Sequence, residues 1–358
     1  MNGKVAIDDK TKKVSEEEYE KYKKDLNSRT LFLSINGTLG RTAKYNGEKV
    51  VLGKSACYLN VKKDINKDFI YYLLQPPDFM HYANTYSTGT TIKNLGLKAI
   101  REYPFKLPPK RIQQKTAIIL SLFDSKIENN NAIIANLEEQ AQTIFKSWFV
   151  DFEPFQDGEF VESDLGDIPK GWSIESLGDI VNIYDSERKP LSQMVRQGME
   201  RNYPYYGANG VIDYVEDYLF DGKYLLLGED GTVQTNEGYP ILNYIEEKFW
   251  VSNHAHIMTG DKISTEFLYV SIKRRNIRDI ITGAVQQKIN QRNLKSIKLV
   301  IPESNILINF QNIIEPIFEK VLVLKKSNKK LEETRDILLP KLMSGEIRVE
   351  DTIEVEEM

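Results

Sequence analysis

The chain repeats itself, and the repeat restricts its fold more than any other feature. Between Leu31 and Pro108 come LFLSINGTLGR, DFIYYLL and STGTTIKNLGLKAIREYPFKLP; between Tyr224 and Pro302 come YLLLGEDGTVQ, EFLYVSI and ITGAVQQKINQRNLKSIKLVIP, in the same order. In each copy an apolar run leads into a tight-turn dipeptide, Asn36-Gly37 or Asp230-Gly231, the signal of a strand ending at a turn. A short amphipathic helix follows, with Phe69 and Tyr71 matched by Phe267 and Tyr269. Next come Thr88-Gly89 and Thr282-Gly283, then Leu97 and Ile100 set against Leu294 and Ile297. Each copy closes on an extended run into proline, Leu107-Pro108 and Ile301-Pro302. Matched pairs lie 194 to 198 residues apart, so small insertions separate them. The pattern predicts a duplicated unit of mixed α/β structure.

A long helix follows each unit. Leu120, Phe123, Ile127, Asn130, Ile134, Leu137, Ala141, Ile144 and Trp148 advance in steps of three and four. Phe310, Ile314, Ile317, Val321, Leu324, Asn328, Leu331, Arg335, Leu338 and Leu342 do the same. Such a seam is the signature of a coiled coil, and a helix of roughly 35 residues is about 50 Å long. Pro316 is expected to kink or delay the second helix. Phe123, Ile127, Asn130, Ile134 and Leu137 are expected to pair with Val321, Leu324, Asn328 and Leu331. If the helices lie antiparallel and centred on each other, the two asparagines meet and the units fall at opposite ends of a rod. Two ordinary bundle helices are the alternative.

Composition removes several function classes. With 48 Lys and Arg against 52 Asp and Glu, the formal net charge is −4. A nucleic-acid binder of that charge must gather its cations on one face or borrow them from a partner. The single cysteine, Cys57, excludes an internal disulfide and a thiolate metal cluster. No apolar leader or run approaching 18 residues is present, so a cytoplasmic location is expected.

Three stretches then suggest a family. FKSWFVDFEPF (Phe145 to Phe155) follows the first helix, GWSIESLGDI (Gly171 to Ile180) opens the second unit, and LLPKLMSGEIRV (Leu338 to Val349) closes the second helix. Together with LPPKRIQQKTAIILSLFDSKIE (Leu107 to Glu128), they resemble the specificity subunit of type I restriction–modification systems across nearly the whole chain. The resemblance implies an α+β fold: two similar mixed α/β target recognition domains separated by two long helices that form an antiparallel coiled coil. The domains would be residues 1–109 and 171–303, the helices 110–150 and 304–345, the linker 151–170 and an acidic, frayed tail 346–358. Each domain would read one half of a split double-stranded DNA target. Two methyltransferase subunits would dock on the helices, and motor-nuclease subunits would join them. The chain would have no catalytic site and bind no cofactor or metal; S-adenosylmethionine, ATP and Mg²⁺ would belong to the partners. One departure stands out. The first unit has only 36 residues before Gly37 and no Trp-x4-Leu-Gly-Asp opening, so it is expected to lack one or more N-terminal strands.

DNA contact requires cations for phosphates and amides or cations for base edges. The loop Gly283 to Arg292 supplies Gln286, Gln287, Lys288, Asn290 and Arg292, and its counterpart supplies Thr90, Thr91 and Lys93. Arg41 and Lys44 follow the first turn, Tyr205, Tyr206 and Asn209 lie in NYPYYGANG, and Lys273 and Arg274 open KRRNIR. Other signals are weaker. GEKVVLGKS has one residue too many for a phosphate loop and reads as a strand at Val50–Leu52. His254 and His256 alternate on a strand without evident further ligands. Asp230 with Glu246-x-Lys248 only outlines a nuclease carboxylate set. Gln75-Pro76-Pro77-Asp78 lacks the aromatic of an amino-methyltransferase loop. The rival readings are an endonuclease or methyltransferase with an unrecognised site, a scaffold that never touches DNA, and a shortened subunit that acts as a dimer.

Overall fold

The structure, a computed structural model, describes residues 3–8, 11–283 and 286–349. Its first half runs α1 (Glu16–Tyr22), β1 (Thr30–Ser34), β2 (Thr42–Lys44), β3 (Ala56–Asn60), α2 (Lys67–Leu73), α3 (Pro77–Thr85), β4 (Ser87–Thr88), β5 (Asn94–Leu95), α4 (Leu97–Arg101) and α5 (Lys110–Phe149). Next come β6 (Phe160–Val161), β7 (Ile168–Pro169), β8 (Ser173–Ser176), β9 (Val181–Ile183), α6 (Gln193–Gln197), β10 (Tyr203–Gly207) and β11 (Gly210–Val215). The chain continues through β12 (Phe220–Gly228), β13 (Leu242–Val251), β14 (Ala255–Gly260), α7 (Thr265–Lys273), α8 (Gln291–Lys295), β15 (Lys298–Ile301) and α9 (Ser304–Ser344). It divides into two compact units, Met1–Asn130 with Lys326–Met358, and Asn131–Lys325. Both are mixed α/β, and each contains parts of both long helices.

In the first unit β1 is the centre of an antiparallel sheet ordered β2-β1-β3. Leu31 and Leu33 share one face of β1 and are fully buried. Leu33 packs with Leu74, Phe79 and Leu95, while Leu31 packs with Tyr71, Tyr72, Leu120, Leu339 and Leu342. The second set joins α2 to both long helices. Tyr72 donates to Oδ2 of Asp124 at 2.7 Å, and Arg335 donates to Oδ1 of the same carboxylate at 2.7 Å. The LLPKLMSGEIRV stretch thus has a physical role: Leu339, Leu342 and Val349 are buried here. Of the expected frayed tail, residues beyond Val349 lie outside those described.

The second unit holds a six-stranded sheet ordered β11-β10-β13-β12-β14-β9, with β8 and β15 forming a separate pair. Its core gathers Phe149, Trp172, Phe267, Phe310 and Phe318, and the aromatic run after α5 closes over it. Phe149 lies 4.7 Å from Phe310 and 5.7 Å from Trp172, and Phe155 lies 5.0 Å from Trp172, ring centre to ring centre. The 151–170 segment is therefore more than a surface connection, because Phe152 and Phe155 are packed against the core. Pro316 does not delay the second helix: α9 begins at Ser304 and continues through it to Ser344. Val50–Leu52 is not a strand; β3 starts only at Ala56.

Within each unit the long helices run antiparallel. In the first, Asp124 meets Arg335 and Asn130 Nδ2 donates to Asn328 Oδ1 at 2.8 Å. In the second, Ile134 and Leu137 pack with Val321 and Leu324. Ile127, Asn130 and Asn328 are buried, whereas Phe123 and Leu331 are half-buried on the margin of the seam. The asparagine bond has a measurable consequence. Asn328→Leu strands the buried Asn130 amide and should cost about 1–3 kcal/mol. Asn130→Leu with Asn328→Leu should recover most of that loss, because two matched apolar groups leave nothing unpaired. Urea unfolding of both variants checks this, and a single variant as stable as the parent would contradict it.

Candidate nucleic-acid interface

The two copies share one construction: a glycine-closed loop latched by main-chain bonds to the turn after the central strand. In the first unit Gly37 N donates to Lys93 O at 2.9 Å and Leu95 N donates to Ile35 O at 2.8 Å. In the second, Gly231 N donates to Gln287 O at 3.1 Å and Ile289 N donates to Glu229 O at 2.8 Å. Asn36 bridges Asn94 as Asp230 bridges Lys288. Every one of these positions is matched by the residue 194 further on. Each loop turns on a glycine of positive φ, +90° at Gly89 and +85° at Gly283. A Cβ there would meet the carbonyl oxygen three residues ahead, 2.3 Å from Ile92 O or 2.2 Å from Gln286 O. Only glycine fits such a site. Helices α4 and α8 begin just after the loops, again 194 apart, so Ile100 matches Leu294 and Tyr103 matches Ile297. The sequence pairing of Leu97 with Leu294 and of Ile100 with Ile297 is therefore displaced by three residues, about one helical turn.

The side chains presented differ between the copies. Thr90, Thr91, Lys93 and Asn94 are exposed on the first loop. Gln286 and Lys288 are exposed and Gln287 is half-buried on the second; Ala284 and Val285 lie outside the described residues. Arg292 on α8 is exposed and makes no ion pair among the described residues. Asn209 is exposed at the β10–β11 turn, and Ala208 O in that turn lies 3.4 Å from where a Gly228 Cβ would stand. That places Asn209 on the sheet end that carries the Asp230-Gly231 turn. Arg41 is exposed beside the first turn.

Several expected contacts are otherwise engaged. Tyr205 and Tyr206 are 1% and 6% exposed: the first is bonded to Leu191 and the second to Glu247, so neither ring reaches a groove. Lys44 pairs with Asp68 at 2.6 Å and lies 4.6 Å from the Tyr71 ring. Lys273 lies 5.2 Å from the Tyr269 ring, and its burial lowers its pKa against the pull of Glu138. Arg274 pairs with Glu139 on α5. Asn290 caps α8 by accepting the Asn293 N–H at 2.8 Å. The KRRNIR run is thus largely a set of ties within the fold, the general fate of cations beside an acidic helix face.

Beneath the second loop lies a polar network that the sequence reading did not assemble. Nδ1 of buried His256 lies 2.6 Å from Asp185 Oδ2, and its Nε2 lies 2.8 Å from Ile289 O. Arg188 donates to Glu229 at 2.6 Å and to Ala255 O at 2.9 Å, while Lys288 Nζ reaches Glu229 at 3.1 Å. Gln291 and the Ile257 N–H also donate to Asp185. Asp185, Glu229 and His256 have the types and spacing of metal ligands. Their lone pairs, however, are taken by Arg188, Lys288, Gln291 and a backbone N–H, so the site already holds its positive charge and does not fit a cation. The alternation of His254 with His256 was the only local signal; Asp185 and Arg188 come from a segment about 70 residues earlier. His254 itself binds Asp230 at 2.6 Å, and Lys248 lies near Asp221 and Tyr218, so the outlined nuclease set does not converge.

The network sets a pH dependence. Burial alone would raise the Asp185 and Glu229 carboxyls. The His256 bond and charge on Asp185, and the Arg188 bond, His256 charge and Lys288 bond on Glu229, outweigh it and hold both below the usual range. A lowered acid contributes stability that is full above its unfolded value of about 4 and is lost as pH falls through the folded value. Urea midpoints should therefore be level from pH 6 to 5 and drop below about pH 4, with a shallower drop in Asp185→Asn. Identical acid profiles for the two proteins would count against the network.

Comparison with known proteins agrees with this construction. A family model described as the type I restriction modification DNA specificity domain matches residues 2–139 and 169–334. The MjaIX specificity subunit of Methanocaldococcus jannaschii is 28% identical over 309 residues, spanning 81% of this chain and 71% of its own length. The HindI specificity subunit of Haemophilus influenzae is 25% identical over 78% of this chain and 77% of its own. Among solved structures, the S subunit of a type I restriction-modification system from M. genitalium shares the fold, with a TM-score of 0.50 at 22% identity over 88% of this chain and 83% of that one. In the described residues no helix is long and apolar enough to cross a membrane. With the duplicated latch and a family match across both copies, the chain belongs to the type I restriction–modification DNA specificity family.

Proposed function

We propose that this chain is the sequence-reading, non-catalytic subunit of a type I restriction–modification complex, and that it reads a double-stranded DNA target in two parts. One observation carries the reading: an identical main-chain latch presents different side chains in the two copies. A constant frame with a variable alphabet is what two readers of different half-sites need. Gln286 and Gln287 have the amide geometry that pairs bidentately with adenine, and Lys93, Lys288 and Arg292 suit guanine or phosphate. The antiparallel helices serve as the spacer between half-sites and as the docking ground for methyltransferase subunits, which motor-nuclease subunits join. S-adenosylmethionine, ATP and Mg²⁺ are bound and used by those partners and not by this chain. The acidic net charge is consistent with partners that supply much of the phosphate contact.

Methylation mapping of the genome with and without this gene tests the proposal. A two-part motif with a fixed gap should disappear with the gene. Replacing Gln286, Gln287 and Lys288 with alanine should relax or abolish one half of the motif and leave the gap unchanged. An unaltered motif would favour a scaffold that never touches DNA. Turnover by the purified chain alone, with Mg²⁺ or S-adenosylmethionine, would overturn the non-catalytic assignment.

A further inference from the structure

The two copies share the latch but seat it on different chemistry. In the second unit Glu229 holds the loop twice. Its main-chain oxygen accepts the Ile289 N–H at 2.8 Å, and its Oε1 lies 3.1 Å from Lys288 Nζ. Its other carboxylate oxygen, Oε2, accepts from Arg188 at 2.6 Å, and Arg188 is itself fixed by the carbonyl oxygens of Asp185 and Ala255, each at 2.9 Å. The carboxylate is therefore anchored from below. The Glu229 side chain is only 12% exposed, whereas the Lys288 side chain above it is 50% exposed. The Lys288 backbone is pinned as well, by a reciprocal pair of 2.8 Å bonds with Thr282. In the first unit the residues 194 earlier are Ile35 and Asn94. Ile35 packs on the apolar cluster of Leu33, Leu74 and Leu95 and offers Asn94 no carboxylate.

We propose, building on the assignment of this loop to DNA, that Glu229 is a positioning residue: it aims the Lys288 ammonium at the edge of one guanine in the half-site read by the second unit. A lysine on a free stem loses rotamer freedom when it binds. Here both ends of the stem are fixed before DNA arrives. An ammonium has three donors and Glu229 takes one, so two remain for the O6 and N7 acceptors of guanine. A phosphate is a poorer partner. Phosphate contacts draw on charge, and the charge of Lys288 is already balanced by a carboxylate 3.1 Å away. The matched position in the first unit, Asn94, is an exposed amide, which suits adenine. One frame thus presents a fixed cation in one copy and a neutral amide in the other.

The chain assembled with its methyltransferase subunits provides the test, through kcat/KM on duplexes in which each base pair of the mapped target is changed in turn. Lys288→Met keeps the stem and removes the ammonium. It should cut discrimination at one guanine about tenfold and leave the other half-site untouched. Glu229→Gln should do the same at the same guanine, and the two changes together should do no more than either alone, because Glu229 acts through Lys288. Glu229→Asp keeps the charge beside Arg188 and withdraws it from Lys288 by one methylene; it carries the same expectation if Glu229→Gln does not fold. A Glu229 that only supported the fold would give losses that add to those of Lys288→Met and spread over the whole half-site. Additive losses, Glu229 variants without effect at that guanine, or a uniform loss with a salt slope reduced by about one, the mark of a phosphate contact, would each overturn the proposal. If the motif responds to joint alanine replacement of Gln286, Gln287 and Lys288 but not to these variants, the aiming role alone fails. If it responds to neither, the assignment of the loop to DNA fails with it.

Discussion

Truncating Phe310 to alanine should lower the unfolding free energy by about 3–5 kcal/mol, the usual cost of emptying a large aromatic site in a close-packed core. Phe310 is fully buried at the start of α9, and its ring lies 4.7 Å from Phe149, 5.7 Å from Phe267 and 5.8 Å from Trp148. It therefore holds three elements together: the end of α5, α7 and α9. Trp148 and Trp172 sit in or beside the same cluster, so their fluorescence reports the loss directly during urea unfolding. Ile308→Ala, at a position 60% exposed two residues away, should change stability by no more than about 0.5 kcal/mol. A loss below 1 kcal/mol for Phe310→Ala would mean that the cluster does not bear the packing described.

Gly283→Val and Gly89→Val form a second, paired expectation. Each places a side chain on a left-handed backbone, at about 1–2 kcal/mol for the conformation alone, and each drives a Cβ into a carbonyl oxygen. The loop must then leave its latch. If each loop supplies contacts worth about 1–3 kcal/mol per base, methylation of the cognate half-site should fall on the order of 100-fold. Gly283→Val should affect one half of the target and Gly89→Val the other. Gly53→Val, with open space around its Cβ and an ordinary φ, should affect neither. Kinetics of methylation on duplexes mismatched in one half at a time would separate these outcomes. Both variants damaging the same half would contradict the assignment of one loop to each.

Much of this architecture was legible because periodicity and repetition are local properties. The seams of α5 and α9 were written in three-and-four spacing, and the meeting of Asn130 with Asn328 followed from centring one seam on the other. The loops were found as regions through their Thr-Gly pairs. Individual contacts were not legible, for a physical reason. Whether a cation is free depends on what packs beside it, and Lys44, Lys273 and Arg274 are taken up by Asp68, Tyr269 and Glu139, residues distant or unremarkable in sequence. Tyr205 and Tyr206 were expected at the groove together with Asn209 of the same NYPYYGANG stretch, yet β10 is an inner strand and buries both. The network of Asp185, Arg188, Glu229 and His256 was invisible because its members share no short motif.

Both loops are fastened through main-chain atoms and a glycine, so the frame asks almost nothing of the side chains between. Thr90 and Thr91 in one copy, and Gln286 in the other, project into solvent and bury no surface that the fold needs. Point changes there should be nearly free in stability and, on the proposed reading of these loops, act chiefly on what is read. On that reading a lineage could drift from one recognition word to another in single steps, each intermediate still folded, while the scaffold that carries the words stays under selection.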